Sequence, residues 1–182
     1  GGMLSYLLAS EHPELVGQLI VLNAPHPASY ARALKRSLQL FRGWYILFFQ
    51  LRGVAEWVMT RRPIFRWMMR QLVAQRALLT EARVEAGRRE LLRPGAIRGG
   101  LSYYRAWLRW PIRGLRRIAS PTLVVWGDAD PTLDVHLLDD LPEHVEKLEI
   151  RRIEGAGHFV HWDEPERVLN AVVNFLAGGR LQ

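Results

Sequence analysis

The sequence predicts an α/β protein in which a parallel sheet is interrupted by an all-helical insertion. Short apolar runs rich in β-branched residues occur early and late in the chain, each bounded by a turn, as is typical of strands buried in a parallel sheet. Helical periodicity fills the stretch between them. The charge divides at the same places, because residues 28–118 contain 20 Lys and Arg against four Asp and Glu, a net of +16, whereas the whole chain carries +7.

The first segment, residues 1–27, is predicted to form a helix and a buried strand. Small and apolar residues stand at helical spacing from Gly2 to Ser10. Pro13 ends this helix, because proline disfavours helical geometry at the residue before it. The run QLIVLNAP that follows is short, apolar and closed by a turn, which predicts a strand buried on both faces. Helix, loop and strand together make half of a βαβ unit.

The middle segment, residues 28–118, is predicted to be entirely helical and is called the helical segment below. Its first helix covers ASYARALKRSLQLF, Thr80 is positioned as an N-cap, and Pro94-Gly95 marks a break. The basic residues are scattered among apolar ones without a known binding motif, so we interpret them as a solvated surface and expect no nucleic-acid partner. A cluster of large apolar side chains is expected to form the core of this segment, with a hydrophobic substrate tunnel as the alternative: Trp57, Met59, Phe65, Trp67, Met68 and Met69.

The last segment, residues 119–182, returns to the α/β pattern. PTLVVWGDADPTL predicts a buried strand closed by an acidic turn, and KLEIRRIEGAGHF predicts another strand that leads into a glycine-flanked histidine. A closing amphipathic helix follows, with Gly178-Gly179 as its stop. Its predicted apolar face consists of Val168, Leu169, Val172, Val173, Phe175 and Leu176.

Composition excludes several kinds of site. The chain has no cysteine, and its six histidines show no metal-ligand spacing such as HxxxH, so no metal site is expected. No organic cofactor is expected either. No run of 18 or more apolar residues occurs, so no transmembrane segment is expected. Nothing calls for an oxidising compartment, and the cytoplasm is therefore favoured.

The residues that could carry chemistry follow two of the predicted strands. Asp128 and Asp130 stand in WGDADP, and His158 stands in EGAGHF. Open α/β sheets bind ligands outside the carboxyl ends of their strands, and a carboxylate can orient a histidine that acts as a base. A single aspartate at a strand end is more often a turn former, and a single histidine is more often a surface residue. The two together, with glycines on both sides of the histidine, favour catalysis.

Several motifs resemble the α/β-hydrolase fold as found in epoxide hydrolases and their dehalogenase relatives. They are the initial GG, NAPHP, WGDADPTLD and GAGHFVHWDEPERV, and the resemblance runs from Gly1 to about Ala177. It implies that the helical segment is a lid and that Gly1 and Gly2 end a Gly-x-Asp-x-Gly-Gly elbow. The nucleophilic aspartate is then expected two residues before Gly1, and the chain as given is expected to be inactive alone.

The resemblance also assigns two tyrosines of the helical segment. Carboxylate attack on an epoxide generates an alkoxide, and tyrosine, with an ordinary pKa of about 10, can donate to it while remaining neutral. The stretches YILFFQLRGVAE and GLSYYRAW resemble the family segments that carry such donors, which implies Tyr45 and Tyr104. Tyr103 is a competing assignment. Without the resemblance, these side chains read as amphipathic packing residues.

The remaining polar candidates receive lesser roles. The family pattern selects Asp130 as the acid, leaves Asp128 as a turn residue and makes Asp134 a weaker rival. His26 in NAPHP is expected to order the start of the lid. Two further residues follow the histidine and could either line the pocket or pack structurally: His161 and Trp162.

The resulting hypothesis is a hydrolase that opens a small hydrophobic epoxide to a diol through an alkyl-enzyme ester. A haloalkane or haloacid dehalogenase and a serine esterase share the acid and the histidine, so both remain alternatives. An alternative of another class is a non-catalytic remnant or a basic module that binds an anionic partner. The sequence leaves the oligomeric state open.

Overall fold

The computed structural model describes residues 1–34, 43–109 and 114–178, and these form a layered α/β arrangement. The strands are β1 (Leu19–Leu22), β2 (Thr122–Gly127) and β3 (Leu148–Ile153). The helices of the first and middle segments are α1 (Gly2–Glu11), α2 (Pro27–Ala33), α3 (Trp44–Phe48), α4 (Val54–Met59), α5 (Arg62–Leu72), α6 (Glu81–Leu91) and α7 (Ala96–Arg109). Those of the last segment are α8 (Leu141–His144), α9 (Val160–Asp163) and α10 (Pro165–Leu176).

The three strands form one parallel sheet in the order β1-β2-β3. Leu19 pairs with Thr122, and Thr122 pairs in turn with Leu148. Every residue of β2 is buried, as expected of a central parallel strand whose two faces are both covered. The predicted strands and the α/β fold are therefore confirmed, although β1 is fully buried only at alternate residues and not on both faces as predicted.

The side chains of β2 alternate between two hydrophobic cores, because successive residues of a strand point to opposite faces. Val124 and Trp126 enter a core that contains Tyr6 of α1. Leu123 and Val125 enter the other core, together with residues of β3, α9 and α10. At the carboxyl end of β2 the backbone lies very close to the loop after β3. A Cβ on Gly127 would lie 2.5 Å from the carbonyl oxygens of Ala156 and Gly157. This contact holds the loop after β3 against the turn after β2.

The described part of the helical segment consists of helices joined by turns, and Ile118 at its end forms an isolated parallel β-bridge with Val145. Thr80 caps α6 by accepting from the N–H of Arg83 at 3.3 Å, as the sequence predicts. The first predicted helix is observed as α2 up to Ala33, and its residues 35–41 lie outside the described residues. The segment boundaries at 28 and 118 stay a prediction.

The predicted core of the helical segment is correct for some residues and wrong for two. Phe65 and Met69, one helical turn apart on α5, are buried, and Met59 and Met68 are partly buried. Trp57 and Trp67 are 59% and 56% exposed. Their apolar character predicts burial, but both side chains lie on the surface of the protein, on α4 and α5 respectively.

The predicted apolar face of α10 is narrower in the structure. Val168 is buried, and Val172 and Phe175 pack against the same core. The prediction is wrong for the other three residues of the stripe, which are 45–60% exposed: Leu169, Val173 and Leu176. Gly178 follows the helix with φ +64, which glycine adopts without steric cost, whereas Gly179 lies outside the described residues.

No helix in the described ranges combines the length and the apolar character needed to cross a membrane.

Candidate active site

A buried carboxylate stands at the carboxyl end of β2. Asp130 is 4% exposed, and its Oδ1 accepts hydrogen bonds from the Thr132 N–H at 2.8 Å, the Thr132 hydroxyl at 2.7 Å and the Leu133 N–H at 3.1 Å. These donors belong to the turn that follows the strand, so two backbone N–H groups and one hydroxyl of that turn satisfy this carboxylate oxygen. The other oxygen, Oδ2, faces the loop after β3.

His158 occupies that loop and contacts Asp130 directly. Its Nδ1 lies 2.7 Å from Asp130 Oδ2 and 3.4 Å from the Thr132 hydroxyl. A proton on Nδ1 is therefore held by the carboxylate, and the neutral ring keeps Nε2 as the nitrogen that can accept another proton. The side chain is 28% exposed, which leaves it accessible to a reactant.

The environment of Asp130 favours its ionised form. Burial alone raises the pKa of this carboxyl, but the hydrogen bond and the charge interaction with His158, together with hydrogen bonds from Thr132, outweigh burial and hold the pKa below its ordinary value. At neutral pH Asp130 is thus a carboxylate, which orients the imidazole and stabilises the imidazolium that forms when His158 takes a proton.

Asn23 is a third member of this site, and the sequence does not predict a role for it. Its side-chain N–H donates to Asp130 Oδ2 at 3.0 Å, while its Oδ1 accepts from the backbone N–H of Gly127 at 2.9 Å. Asn23 is 3% exposed and has φ 40, in the left-handed region that asparagine tolerates better than most residues. One feature of the sequence points to such a role: Asn23 stands in NAPHP, directly after a predicted strand. In the structure that strand pairs with β2, which Asp130 follows.

A pocket of about 250 Å³ opens beside the histidine. Its lining brings together four parts of the chain: the start of α1, the end of β1, the helical segment and the loops after β2 and β3. The described lining residues include no Ser, Cys, Thr, Asp or Glu; they are Gly1, Gly2, Met3, Leu22, Asn23, Ala24, Pro25, Tyr30, Tyr45, Ile46, Tyr103, Tyr104, Trp107, Leu133 and His158.

Both predicted tyrosines line this pocket with His158, and the rings of Tyr45 and Tyr104 lie edge to face with centroids 6.1 Å apart. Burial raises the pKa of each above its ordinary value, and for Tyr45 neighbouring tyrosines and Asp130 add to the effect. Tyr103 also lines the pocket, and burial followed by the influence of Tyr104 raises its pKa to about 12. All three hydroxyls are therefore neutral donors at pH 7, and the choice between Tyr103 and Tyr104 stays a prediction.

The start of α1 packs tightly against the end of β1. A Cβ on Gly2 would overlap the Cβ of Ala24 and lie 3.4 Å from Cγ1 of Val21. Only glycine fits there without movement. The close approach places Gly1 and Gly2 in the pocket wall that also contains His158.

The rival acids have other partners. Asp128 forms a two-contact ion pair with Arg152, at 3.0 and 2.9 Å. Asp134 accepts from the N–H of His136 at 3.0 Å and caps the 3₁₀ turn Val135–Leu138.

The other histidines lie apart from the pair. His26 caps α2 through a 3.3 Å hydrogen bond from the Ala28 N–H, and its ring stacks on His144 at 4.3 Å. His161 and Trp162 line a separate cleft that borders α6, and Trp162 also packs against the core that contains Phe65. Of the two interpretations offered for these residues, the packing role fits Trp162, whereas His161 is exposed and its role stays a prediction. No cluster of three or more His, Asp or Glu side chains in residues 1–34, 43–109 and 114–178 could hold a metal ion.

Residues 1–165 match the family model described as the alpha/beta hydrolase fold. The chain is 28% identical to epoxide hydrolase 1 of Caenorhabditis elegans over 97% of its length and 46% of the relative's. It is 29% identical to epoxide hydrolase 3 of Xenopus tropicalis over 97% of its length and 50% of the relative's.

A solved structure is similar over the same extent. The epoxide hydrolase of Bacillus megaterium in complex with an inhibitor superposes with a TM-score of 0.84 at 26% identity, covering 97% of this chain and 66% of that one. The chain spans about half the length of the two curated relatives named above.

Proposed function

We propose that this chain, which belongs to the alpha/beta hydrolase fold family, carries the acid–base pair and the lid donors of an epoxide hydrolase. The observation that carries the proposal is the 2.7 Å contact between Asp130 and His158 beside a pocket lined by Tyr45 and Tyr104. The similarity to epoxide hydrolases supports the same reaction class. The apolar lining, with Met3, Leu22 and Trp107 among it, suits a small hydrophobic epoxide.

In the first step a carboxylate attacks one carbon of the epoxide. A carbon–oxygen bond to the carboxylate forms, the ring carbon–oxygen bond breaks, and its electron pair stays on the departing oxygen. Tyr45 and Tyr104 donate hydrogen bonds to this oxygen as charge develops, and one of them transfers its proton. The product of the step is an alkyl ester of the enzyme.

In the second step His158 removes a proton from water at Nε2, and the water oxygen attacks the carbonyl carbon of the ester. Asp130 stabilises the imidazolium that results. The tetrahedral intermediate collapses, which regenerates the carboxylate and releases the second hydroxyl of the diol. The proton on His158 then restores the tyrosine, so protons balance over the cycle.

The attacking carboxylate is proposed to stand two residues before Gly1. The contact of Gly2 with Ala24 supports this position, because it holds the start of α1 in the pocket wall near His158. None of the described lining residues is an Asp or Glu that could supply this carboxylate. We therefore expect the 182-residue polypeptide, assayed alone, to form no diol.

Activity with matched substrates tests the proposed reaction class. The protein is produced with the coding sequence that precedes Gly1 and is given an aryl epoxide, a primary haloalkane and a nitrophenyl ester. We expect diol to be the main product, and the Asp130→Asn variant to lose about 10⁴-fold in the rate of its formation. Halide release faster than diol formation would favour a dehalogenase, and nitrophenol release faster than diol formation would favour an esterase.

A further inference from the structure

A second cavity lies on the helical segment, away from the acid–base pair. It is an open cleft of about 1120 Å³ between the turn that joins α3 to α4 and one side of α7. Four arginines line it: Arg52, Arg98, Arg105 and Arg109. Arg98, Arg105 and Arg109 share a face of α7, because residues seven and eleven positions apart recur at nearly the same angle around a helix. Tyr103 and Trp107 of the same helix line the pocket with His158, so the cleft and the pocket lie on different sides of α7.

An ion pair between Arg105 and Glu56 joins the two sides of the cleft. Arg105 Nη1 lies 2.7 Å from Glu56 Oε1, and Arg105 Nε donates to the carbonyl of Phe49 at 2.7 Å. The other oxygen of Glu56 accepts from the N–H of Gly53 at 2.7 Å. The hydrogen bond from Arg105 is the main cause that lowers the pKa of Glu56 to about 2. These contacts fix the turn before α4 against α7 and use both oxygens of the one carboxylate among the described lining residues.

No ion pair among the described residues compensates the positive charge of two cleft arginines, Arg52 and Arg98. Within the described part of the chain, Arg105 Nη2 is buried without a hydrogen-bond partner. Guanidinium groups bind phosphate through paired N–H donors, so several of them around one cleft match a phosphate group.

Large apolar side chains surround the same turn. Leu51 and Val54 flank Arg52 and Gly53 in sequence and are 53% and 51% exposed, and Trp57 is 59% exposed. The guanidinium of Arg61 lies over the Trp57 ring, 4.1 Å from its centroid. A surface that combines exposed Trp and Leu with arginine is typical of proteins that lie at the interface of an anionic membrane.

We propose that this face of the helical segment docks on an anionic phospholipid bilayer, with a lipid phosphate in the arginine cleft and Leu51, Val54 and Trp57 in the interfacial layer. Charge complementarity selects this occupant, because the helical segment carries a net charge of +16 and phospholipid headgroups supply dense negative charge. The proposal is independent of the reaction assigned to the other side of α7.

Vesicle sedimentation tests the charge requirement. The purified protein is mixed with vesicles of phosphatidylcholine alone or with about one third phosphatidylglycerol, and the bound fraction gives a partition coefficient. We expect binding only to the anionic vesicles, and weaker binding as salt is raised. Arg52→Ala combined with Arg98→Ala should lower the partition coefficient by roughly 25-fold, since each basic residue near the surface contributes about a factor of five.

A control variant that removes two arginines outside the cleft tests whether binding depends on this cleft or only on the net charge of the protein. Arg116 and Arg151 are both exposed, and the carbonyl of Arg116 accepts from Ser10 near the end of α1 remote from the pocket. Arg116→Ala combined with Arg151→Ala should leave binding within about twofold. Equal loss in both double variants, equal binding to neutral vesicles, or no binding at all would overturn the proposal.

The apolar residues have their own test. Trp57→Ala should weaken binding to anionic vesicles while the circular-dichroism melting temperature of the protein stays unchanged, because the side chain is exposed. If this variant instead changes the mass measured by light scattering and leaves vesicle binding intact, the face joins two copies of the chain and the bilayer proposal is wrong.

Discussion

Asn23 and His158 donate to the same oxygen of Asp130, at 3.0 and 2.7 Å. The carboxylate thus has a fixed partner on each side, one from the end of β1 and one from the loop after β3. Since Asn23 also accepts from the backbone N–H of Gly127, it ties together the ends of two strands and the acid between them. Asn23 is a positioning residue in this arrangement, because it acts through Asp130.

Asn23→Gly should destabilise the protein by about 2 kcal/mol, because it removes a buried hydrogen bond to a charged group. Glycine accepts the left-handed backbone at this position, so the change isolates the side chain. Asn23→Ala should cost about 1 kcal/mol more, since alanine tolerates φ 40 poorly. Urea unfolding of both variants measures the difference. Equal stability of the two variants would contradict strain at this residue.

Asp130→Asn should reduce stability in a pH-dependent way. The pKa of Asp130 is lower in the folded than in the unfolded chain, so its contribution is fully present above the ordinary aspartate pKa of about 3.9 and is lost as pH falls through the folded value. The difference in unfolding free energy between the unsubstituted chain and the variant should therefore be largest near neutral pH and shrink below about pH 4. Denaturant unfolding across this range measures it.

Asp128→Asn is the matched control for that experiment. It breaks only the partly exposed ion pair with Arg152, which should cost less than about 1 kcal/mol. A loss at Asp128 as large as that at Asp130 would mean that burial and the hydrogen bonds of Asp130 do not set its contribution.

Tyr45→Phe and Tyr104→Phe should each slow epoxide opening by roughly 10²-fold, because each removes one donor to the developing alkoxide. Single-turnover kinetics of the protein with the preceding coding sequence measures this step. Tyr103→Phe is the control, with a rate expected within about twofold of the unsubstituted enzyme. A large loss at Tyr103 and none at Tyr104 would exchange the two assignments.

Gly2→Ala should destabilise the chain by about 1–3 kcal/mol, because the added methyl group overlaps the Cβ of Ala24. Ala24→Gly in the same chain should recover much of the loss by removing that Cβ. Gly99→Ala, where a Cβ meets open space within α7, should instead stabilise by about 0.5–1 kcal/mol. Thermal melts of the four chains measure the effects, and a failure of Ala24→Gly to rescue would contradict the contact.

The sequence predicted the features that depend on local patterns. The strands around Val124 and Ile150 appear as apolar runs, and Asp130 and His158 follow them, so a parallel sheet brings both to one edge. The prediction of Tyr45 and Tyr104 rests on the family resemblance, because the local sequence does not distinguish a tyrosine that lines a pocket from one that packs in a core.

Other features depend on which surfaces meet, and periodicity does not contain that information. The role of Asn23 requires that β1 and β2 be neighbours and that its own backbone be left-handed. Trp57 is predicted to lie in a core and Leu169 on an apolar helix face, yet both are exposed. A helical pattern shows which side chains share a face, whereas only the packing of neighbouring elements decides whether that face is covered.

The ester intermediate gives the most direct test of the proposed roles. His158→Gln, in the protein with the preceding coding sequence, should stop the second step but not the first. Mass spectrometry after addition of an aryl epoxide should then show the protein heavier by one substrate molecule. His161→Gln, which changes a histidine outside the pocket, should show no such adduct and continue to form diol. A folded His158→Gln variant that gains no mass, or one that still releases diol at the unsubstituted rate, would contradict the assignment of His158 as the base for ester hydrolysis.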